Sequence, residues 1–337
     1  MIEIPDILSF APIYKDKIWG GRKFSSILDR NLPNGNIGES WEVSVYGKDV
    51  SEWIDPNGNA QKLTDTIEKN PEVVLGKGFK PELPLLVKLI DAKEKLSVQV
   101  HPDDSYANAY DPTANGKKEC WYVLAADKSA NLVVGFAKTT TKEEFKSLVK
   151  TNQCESILKS WIVKPGDVFL LNPGTIHAIG AGVVLLEVQQ SSDSTYRVYD
   201  YGRLGDDGKP RDLHLEKALA VLNFKQTNGE EKQNKTLVHF QPYTRYLFTS
   251  NDKFRLESWE FDQAQNVNFI PISKPTCFGI VYVAEGTIYW KGGNRSFHKG
   301  ETFFITAKGF DKNIECYVSP KTKLIFMTAG EENVNFM

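Results

Sequence analysis

The chain has 337 residues, 41% hydrophobic and 25% charged, with a formal net charge of -2, the composition of an ordinary globular protein long enough for two domains. So small a net charge supplies no general attraction to nucleic acid or anionic membranes, and no run approaches the roughly 18 apolar residues of a membrane span. A chain of this length buries a full core without metal or disulfide staples, so a metal here would serve chemistry.

The N-terminal stretch MIEIPDILSF has neither a basic n-region nor an apolar h-region, so no signal peptide is expected and a cytoplasmic location is. Short runs rich in Val, Ile, Leu and aromatics follow, at Leu83–Ile90, Leu96–Val100, Cys120–Leu124, Asn131–Phe136, Asp167–Leu171, Val183–Gln189 and Tyr196–Tyr199. Each is bounded by Gly, Pro, Asn or Asp and reads as a strand. Strands this close, without alternating helices, predict a sandwich or barrel instead of a parallel α/β sheet. Two helices are predicted. One begins at the capping box Thr141–Glu144, with Phe145, Leu148 and Val149 at helical spacing; the other opens at Asp212 and aligns Leu215, Leu219 and Leu222. The stretch KQTNGEEKQNKT is polar and aperiodic, so residues 225–236 read as a linker between a first domain, 1–224, and a second, 237–337. The cysteines Cys120, Cys154, Cys277 and Cys316 contain no CxxC pair and read as reduced, buried thiols.

The two halves partly repeat. KPGDVFLLNPGTIHAI (164–179) aligns without a gap on HKGETFFITAKGFDKN (298–313), matching Gly166 with Gly300, Asp167 with Glu301 and Phe169 with Phe303, as in a duplicated unit. His177 falls opposite Asp311, which leaves the candidate metal ligand to the first half.

Of the five histidines, His214, His239 and His298 have no chemically suggestive neighbours. In LSVQVHPDD, strand periodicity puts Ser97, Gln99 and His101 on one face. Glu119 then opens the strand ECWYVL behind the basic pair Lys117–Lys118, and His177 follows the turn NPGT. Two imidazoles, a carboxylate and a carboxamide oxygen offer a four-point N/O site suited to Zn2+.

The motifs KIWGG (17–21), IGESWEVS (37–44), LSVQVHPDD (96–104), GKKECWYV (116–123), NPGTIHAIGAG (172–182) and LEVQQSSDSTYRVYD (186–200) resemble those of type I phosphomannose isomerases, in that family's order. The resemblance implies a mostly β protein of two jelly-roll, cupin-like barrel domains with a few peripheral helices. It further implies one Zn2+ per chain and the interconversion of mannose 6-phosphate and fructose 6-phosphate. By the same resemblance Gln99, His101, Glu119 and His177 match the zinc ligands, and Arg197 matches a catalytic arginine. Ser97, Trp19, Glu39, Lys117 and Glu187 fall at pocket positions. The long helical insertion of eukaryotic members is missing, and the first metal motif reads Gln-x-His where generic cupins have His-x-His.

The residue types suit the chemistry. Aldose–ketose isomerisation moves a proton between C1 and C2 through an enediol(ate), and a metal polarises the oxygens involved. A guanidinium that stays protonated serves as a fixed charge, not as a base; Glu187, Lys117 or a zinc-bound water remain as proton carriers. The expected partner is a small phosphorylated sugar, with the oligomeric state open. A non-catalytic sugar-phosphate-binding regulatory cupin is the alternative, but it has no need of Arg197, Lys117 and Glu187 together. An iron dioxygenase is disfavoured by Gln99.

Overall fold

The structure is a computed structural model that describes residues 3–111, 114–205, 208–269, 277–312 and 314–330. The chain divides into two compact units interleaved in sequence. Met1–Ile13, Trp41–Val87 and Asn234–Met337 form one; Tyr14–Ser40 and Lys88–Gln233 form the other. The expected continuous domains thus give way to discontinuous ones. The final crossing, between Gln233 and Asn234, does lie inside the stretch 225–236, and Lys232–Gln233 of that stretch forms a strand paired with Val168 and Phe169. Local pattern carries no sign of the interleaving, because it depends on pairings such as Ile7 with Ile305.

The unit holding the C-terminal residues has a seven-stranded sheet in the order Ile7–Ser9, Thr302–Ile305, Gly279–Glu285, Thr322–Ala329, Phe254–Phe261, Thr244–Ser250, Thr236–His239. A four-stranded sheet faces it, ordered Gln265–Asn268, Glu315–Val318, Thr287–Trp290, Arg295–His298. Trp259, Phe303 and Phe326 of the first sheet pack with Val267, Ile288 and Phe297 of the second in one core.

The other unit repeats this plan. One sheet runs Lys232–Gln233, Val168–Leu171, Glu119–Ala126, Val183–Gln190 and then the parts of the strands Leu85–Ala92, Ile13–Gly21 and Ile37–Val43 that fall within this unit; the second runs Leu158–Ile162, Asn131–Phe136, His177–Ile179, Val98–Val100, Tyr196–Tyr199. Both units are therefore mostly β, as expected. Among the described residues the sheets stay open and none closes into a barrel.

The helix Lys142–Lys150 starts at Thr141, whose hydroxyl accepts from the Glu144 amide at 3.1 Å. The box is only half made, since the Glu144 carboxylate turns to Thr140 and Lys138. The second helix is Leu215–Val221, beginning after Asp212, with His214 at its cap. Phe145, Val149, Ala218 and Leu219 from these helices cover Val98, Val100 and Val198. That cover matters for the site: it buries the apolar face of Val98–Val100 and leaves Gln99 facing the opposite sheet.

The duplication is visible in the backbone. Gly166 (φ +90) donates to the Val123 carbonyl and Val123 donates back to the Asp167 carbonyl; Gly300 (φ +89) and Val283 do the same with Glu301. Both turns need a positive φ that glycine adopts without strain. Beyond Ile305 the copies part, because His177 opens a strand while Asp311 ends the helix Ala307–Asp311. The pairing of His177 with Asp311 is thus a match of sequence only.

Candidate metal centre and adjoining cavity

Strand register brings the candidate residues together. Gln99 lies directly opposite His177 on one side and Arg197 on the other, so three neighbouring strands present these side chains in a row. From the facing sheet, Glu119 pairs with Gln189 and Trp121 with Glu187. His101, at the end of Val98–Val100, completes a cluster in which ligand atoms of His101, Glu119 and His177 lie within 4.8 Å of one another.

The polarity of this cluster is one-sided. His101 Nδ1 is 2.7 Å from the Ser194 carbonyl and His177 Nδ1 is 2.9 Å from that of Thr175. Each carbonyl can only accept, so each Nδ1 carries the proton and each Nε2 turns a lone pair inward. The two Nε2 atoms stand 3.4 Å from Glu119 Oε2 and Oε1 respectively. Glu119 is fully buried and its Oε1 has no hydrogen-bond donor. The Lys117 ammonium, 2.7 Å from Oε2, is the cation it meets. Burial, with the charge of Lys117 and the neighbouring imidazole, holds His101 neutral, and burial pulls His177 down to about 4. Three inward acceptors with one cation to one side form a pocket that calls for a second cation. The set is borderline N/O and fits zinc. The Gln99 carboxamide nitrogen lies 3.2 Å from His177 Nε2, and half a turn of the amide puts its oxygen there instead.

A cavity of about 300 Å3 adjoins the cluster, the size of a small-ligand site. It is lined by the expected Trp19, Glu39, Ser97, Gln99, Lys117, Glu187 and Arg197. Arg197 donates to Ser97 Oγ at 3.3 Å and to the Asp212 carbonyl at 2.8 Å. Trp121 Nε1 donates to Glu187 at 2.8 Å, leaving Glu187 Oε1 4.0 Å from Lys117 Nζ. Burial raises the Glu187 pKa in spite of nearby lysines. Lys117 is raised too, because Glu119 and Glu187 outweigh the cost of its burial.

Four charged lining residues were not among the candidate site residues read from the sequence: Lys17, Lys88, Asp193 and Arg211. Lys88 had a visible signal, a single cation inside the apolar run LLVKLI, and it is buried 3.0 Å from Asp193. Its pKa is raised, as Glu39, Asp193 and Glu187 outweigh burial. The remaining histidines stay outside the cluster. His298 is exposed and His239 ends a strand, whereas His214 accepts from the Arg197 amide at 3.2 Å, a backbone role beside the cavity.

Comparison with known proteins identifies the family. Residues 7–146 match the family model "Phosphomannose isomerase type I, catalytic domain", a span that includes Gln99, His101, Lys117 and Glu119. The chain is 40% identical to the probable mannose-6-phosphate isomerase GmuF of Bacillus subtilis (strain 168) over 314 residues, 91% of this chain and 96% of that one. It is 38% identical over 216 residues to mannose-6-phosphate isomerase ManA of the same organism, covering 64% of this chain and 67% of the relative. A crystal structure of the mannose 6-phosphate isomerase from Bacillus subtilis superposes with a TM-score of 0.84 at 28% identity, over 96% of this chain and 99% of that one.

Proposed function

The chain belongs to the type I phosphomannose isomerase family, and we propose that it interconverts mannose 6-phosphate and fructose 6-phosphate with one zinc ion held by His101, His177, Glu119 and Gln99. The observation that carries this is the buried, acceptor-only cluster opening onto a cavity lined by five cationic side chains and three carboxylates. A bound zinc ion supplies polarisation of the substrate's carbonyl and hydroxyl oxygens.

The protein's own groups do the rest. Arg197, held by Ser97 and Asp212, presents a fixed positive charge where oxyanion character develops. Glu187 Oε1 is the group we assign to carry the proton between C1 and C2. Burial makes this carboxylate a stronger base than usual, and the Trp121 indole fixes its other oxygen. Lys117, kept protonated by two carboxylates, balances charge beside it. Both units are read as cupin-like sandwiches. A cytoplasmic setting fits four free, buried cysteines, and no helix among the described residues is long and apolar enough to cross a membrane.

The test is a coupled assay with mannose 6-phosphate, with and without a chelator, beside elemental analysis. Turnover that falls on chelation and returns with zinc, at about one ion per chain, is expected. Metal-replete, folded protein that leaves mannose 6-phosphate unchanged refutes the reading.

A further inference from the structure

Arg197 lies on Tyr196–Tyr199, the last strand of its five-stranded sheet, where the register to Val98–Val100 slips between Arg197 and Tyr199. An edge strand leaves the backbone groups of its outer side without a sheet partner. At Arg197 a histidine takes that place. The Arg197 amide donates to His214 Nδ1 at 3.2 Å, and the His214 amide donates back to the Arg197 carbonyl at 2.7 Å. Two residues earlier, the Asp212 carbonyl accepts from Arg197 Nη1 at 2.8 Å. Backbone and guanidinium are therefore both held by the segment 212–214. The His214 carbonyl in turn accepts from the Ala218 amide at 2.9 Å, which ties the segment to the helix Leu215–Val221.

The bond at Nδ1 has a direction. A backbone N–H can only donate, so Nδ1 offers a lone pair and the ring proton belongs on Nε2. Protonated at both nitrogens, the ring would turn an N–H against the Arg197 N–H and add a positive charge beside the guanidinium. The surroundings of His214 oppose that protonation. Burial first, then Arg197 of the strand and Lys217 of the helix, lower its pKa against the pull of Asp212 and Asp111. The Tyr196 ring lies 6.5 Å away, and its hydroxyl donates to Asp111 at 2.8 Å. The neutral ring is thus favoured in the folded chain. The bond is complete above the ordinary histidine value of about 6.5 and is lost as pH falls through the lower folded one.

We propose that His214 is a positioning residue for Arg197, fixing the strand backbone behind the guanidinium through a hydrogen bond that only the neutral imidazole accepts. This rests on the isomerase reading and adds to it the group that sets the arginine's place, together with the proton that releases it.

The experiment follows kcat and KM for mannose 6-phosphate from about pH 5.5 to about pH 8 in wild type, His214→Asn and His214→Leu, with zinc content checked throughout. Asparagine puts an oxygen near the place of Nδ1 and does not titrate; leucine keeps the bulk without an acceptor. At the alkaline end His214→Leu should lower kcat by about 2–10-fold, the worth of one hydrogen bond, with KM changed far less. His214→Asn should restore most of that loss. Below about pH 6.5 wild type should lose kcat relative to His214→Asn, since groups that titrate in both proteins cancel in the ratio. In an Arg197→Ala background His214→Leu should take nothing further, because it acts through the arginine. A His214→Leu loss of the same size with and without Arg197 marks a merely structural role and overturns the proposal. So does a ratio of wild type to His214→Asn that stays flat with pH, which decides the matter even if His214→Leu does not fold. A wild-type protein inactive on mannose 6-phosphate refutes the isomerase reading instead. The NMR resonance of the Arg197 amide then tests the clamp: it should titrate with His214 in wild type, and a resonance indifferent to pH overturns it.

Discussion

Glu119→Gln offers the sharpest test of the metal centre, because the carboxylate does two things at once. It faces both imidazoles at 3.4 Å and pairs with the buried Lys117 ammonium at 2.7 Å. Chelating the wild type removes the ion but keeps the pair. At a zinc concentration about 1,000 times the dissociation constant, that loss is worth about 4 kcal/mol. At about 2–4 °C per kcal/mol for a domain of this class, the melting temperature should fall by roughly 8–16 °C. Glu119→Gln loses the ion and also strands Lys117, whose next carboxylate is Glu187 at 4.0 Å. Removing one partner of a buried pair costs a further 3–5 kcal/mol or so. The expected order in thermal unfolding is metal-loaded wild type, chelated wild type, then Glu119→Gln, with the variant indifferent to chelator and free of zinc by elemental analysis. A Glu119→Gln protein that keeps one zinc per chain, and loses as much stability on chelation as wild type, would refute the assignment.

His101→Ala and His177→Ala should each lose zinc and turnover together, since an open site has few ligands to spare, while His239→Ala and His298→Ala should keep both; equal zinc loss in His298→Ala would contradict the geometry. Arg197→Ala should lower kcat by about 10²–10³ with zinc content kept, and Arg197→Lys should restore only part of it; unchanged kcat and KM would return Arg197 to a structural role. Glu257, fully buried against Arg245 and Arg255, has its pKa lowered although burial, the largest single effect, opposes this. A depressed folded pKa means stability present above the unfolded value of about 4.3 and lost as pH falls through the folded one. The stability gap between wild type and Glu257→Gln in denaturant melts should therefore be full at pH 7 and shrink below about pH 4, and a pH-independent gap would count against the ion pairs.

Much of the site was legible because its determinants are local. Gln99 and His101 alternate along three strand positions, His177 follows a Pro-Gly turn, and the side-chain alternation of a strand fixes which face each occupies. Strand bounds at Asn131–Phe136 and Tyr196–Tyr199 were also readable from composition. The cations of the cavity were not. Lys88 hides in an apolar strand, and Arg211 reaches the wall only through its fork to Asp200, eleven residues earlier. Nothing in spacing distinguishes such an arginine from a solvated one. The interleaving of the units was equally silent, since strand pairing over nearly three hundred residues leaves no periodic trace.

The duplicated half differs from the first at the proposed metal centre. Register places Glu119 opposite Leu171 and Gly279 opposite Ile305, at matching distances from the paired glycine turns. By the same register Trp121 meets Glu187 where Val281 meets Phe326. The second copy therefore has glycine in place of the proposed ligand Glu119 and phenylalanine in place of the proposed base Glu187. A Cβ at Gly279 would lie 2.5 Å from the Phe326 ring and 3.0 Å from that of Phe310, so no carboxylate can enter there without displacing two aromatics. Phe326 in turn stacks on Trp259 at 4.4 Å. Where one copy keeps inward acceptors that demand a cation, the other is packed with rings that need nothing. Among the described residues that packing leaves no counterpart of the proposed metal centre in this half, and the Asp311 position, which lies on a helix of different course, is not needed to account for it.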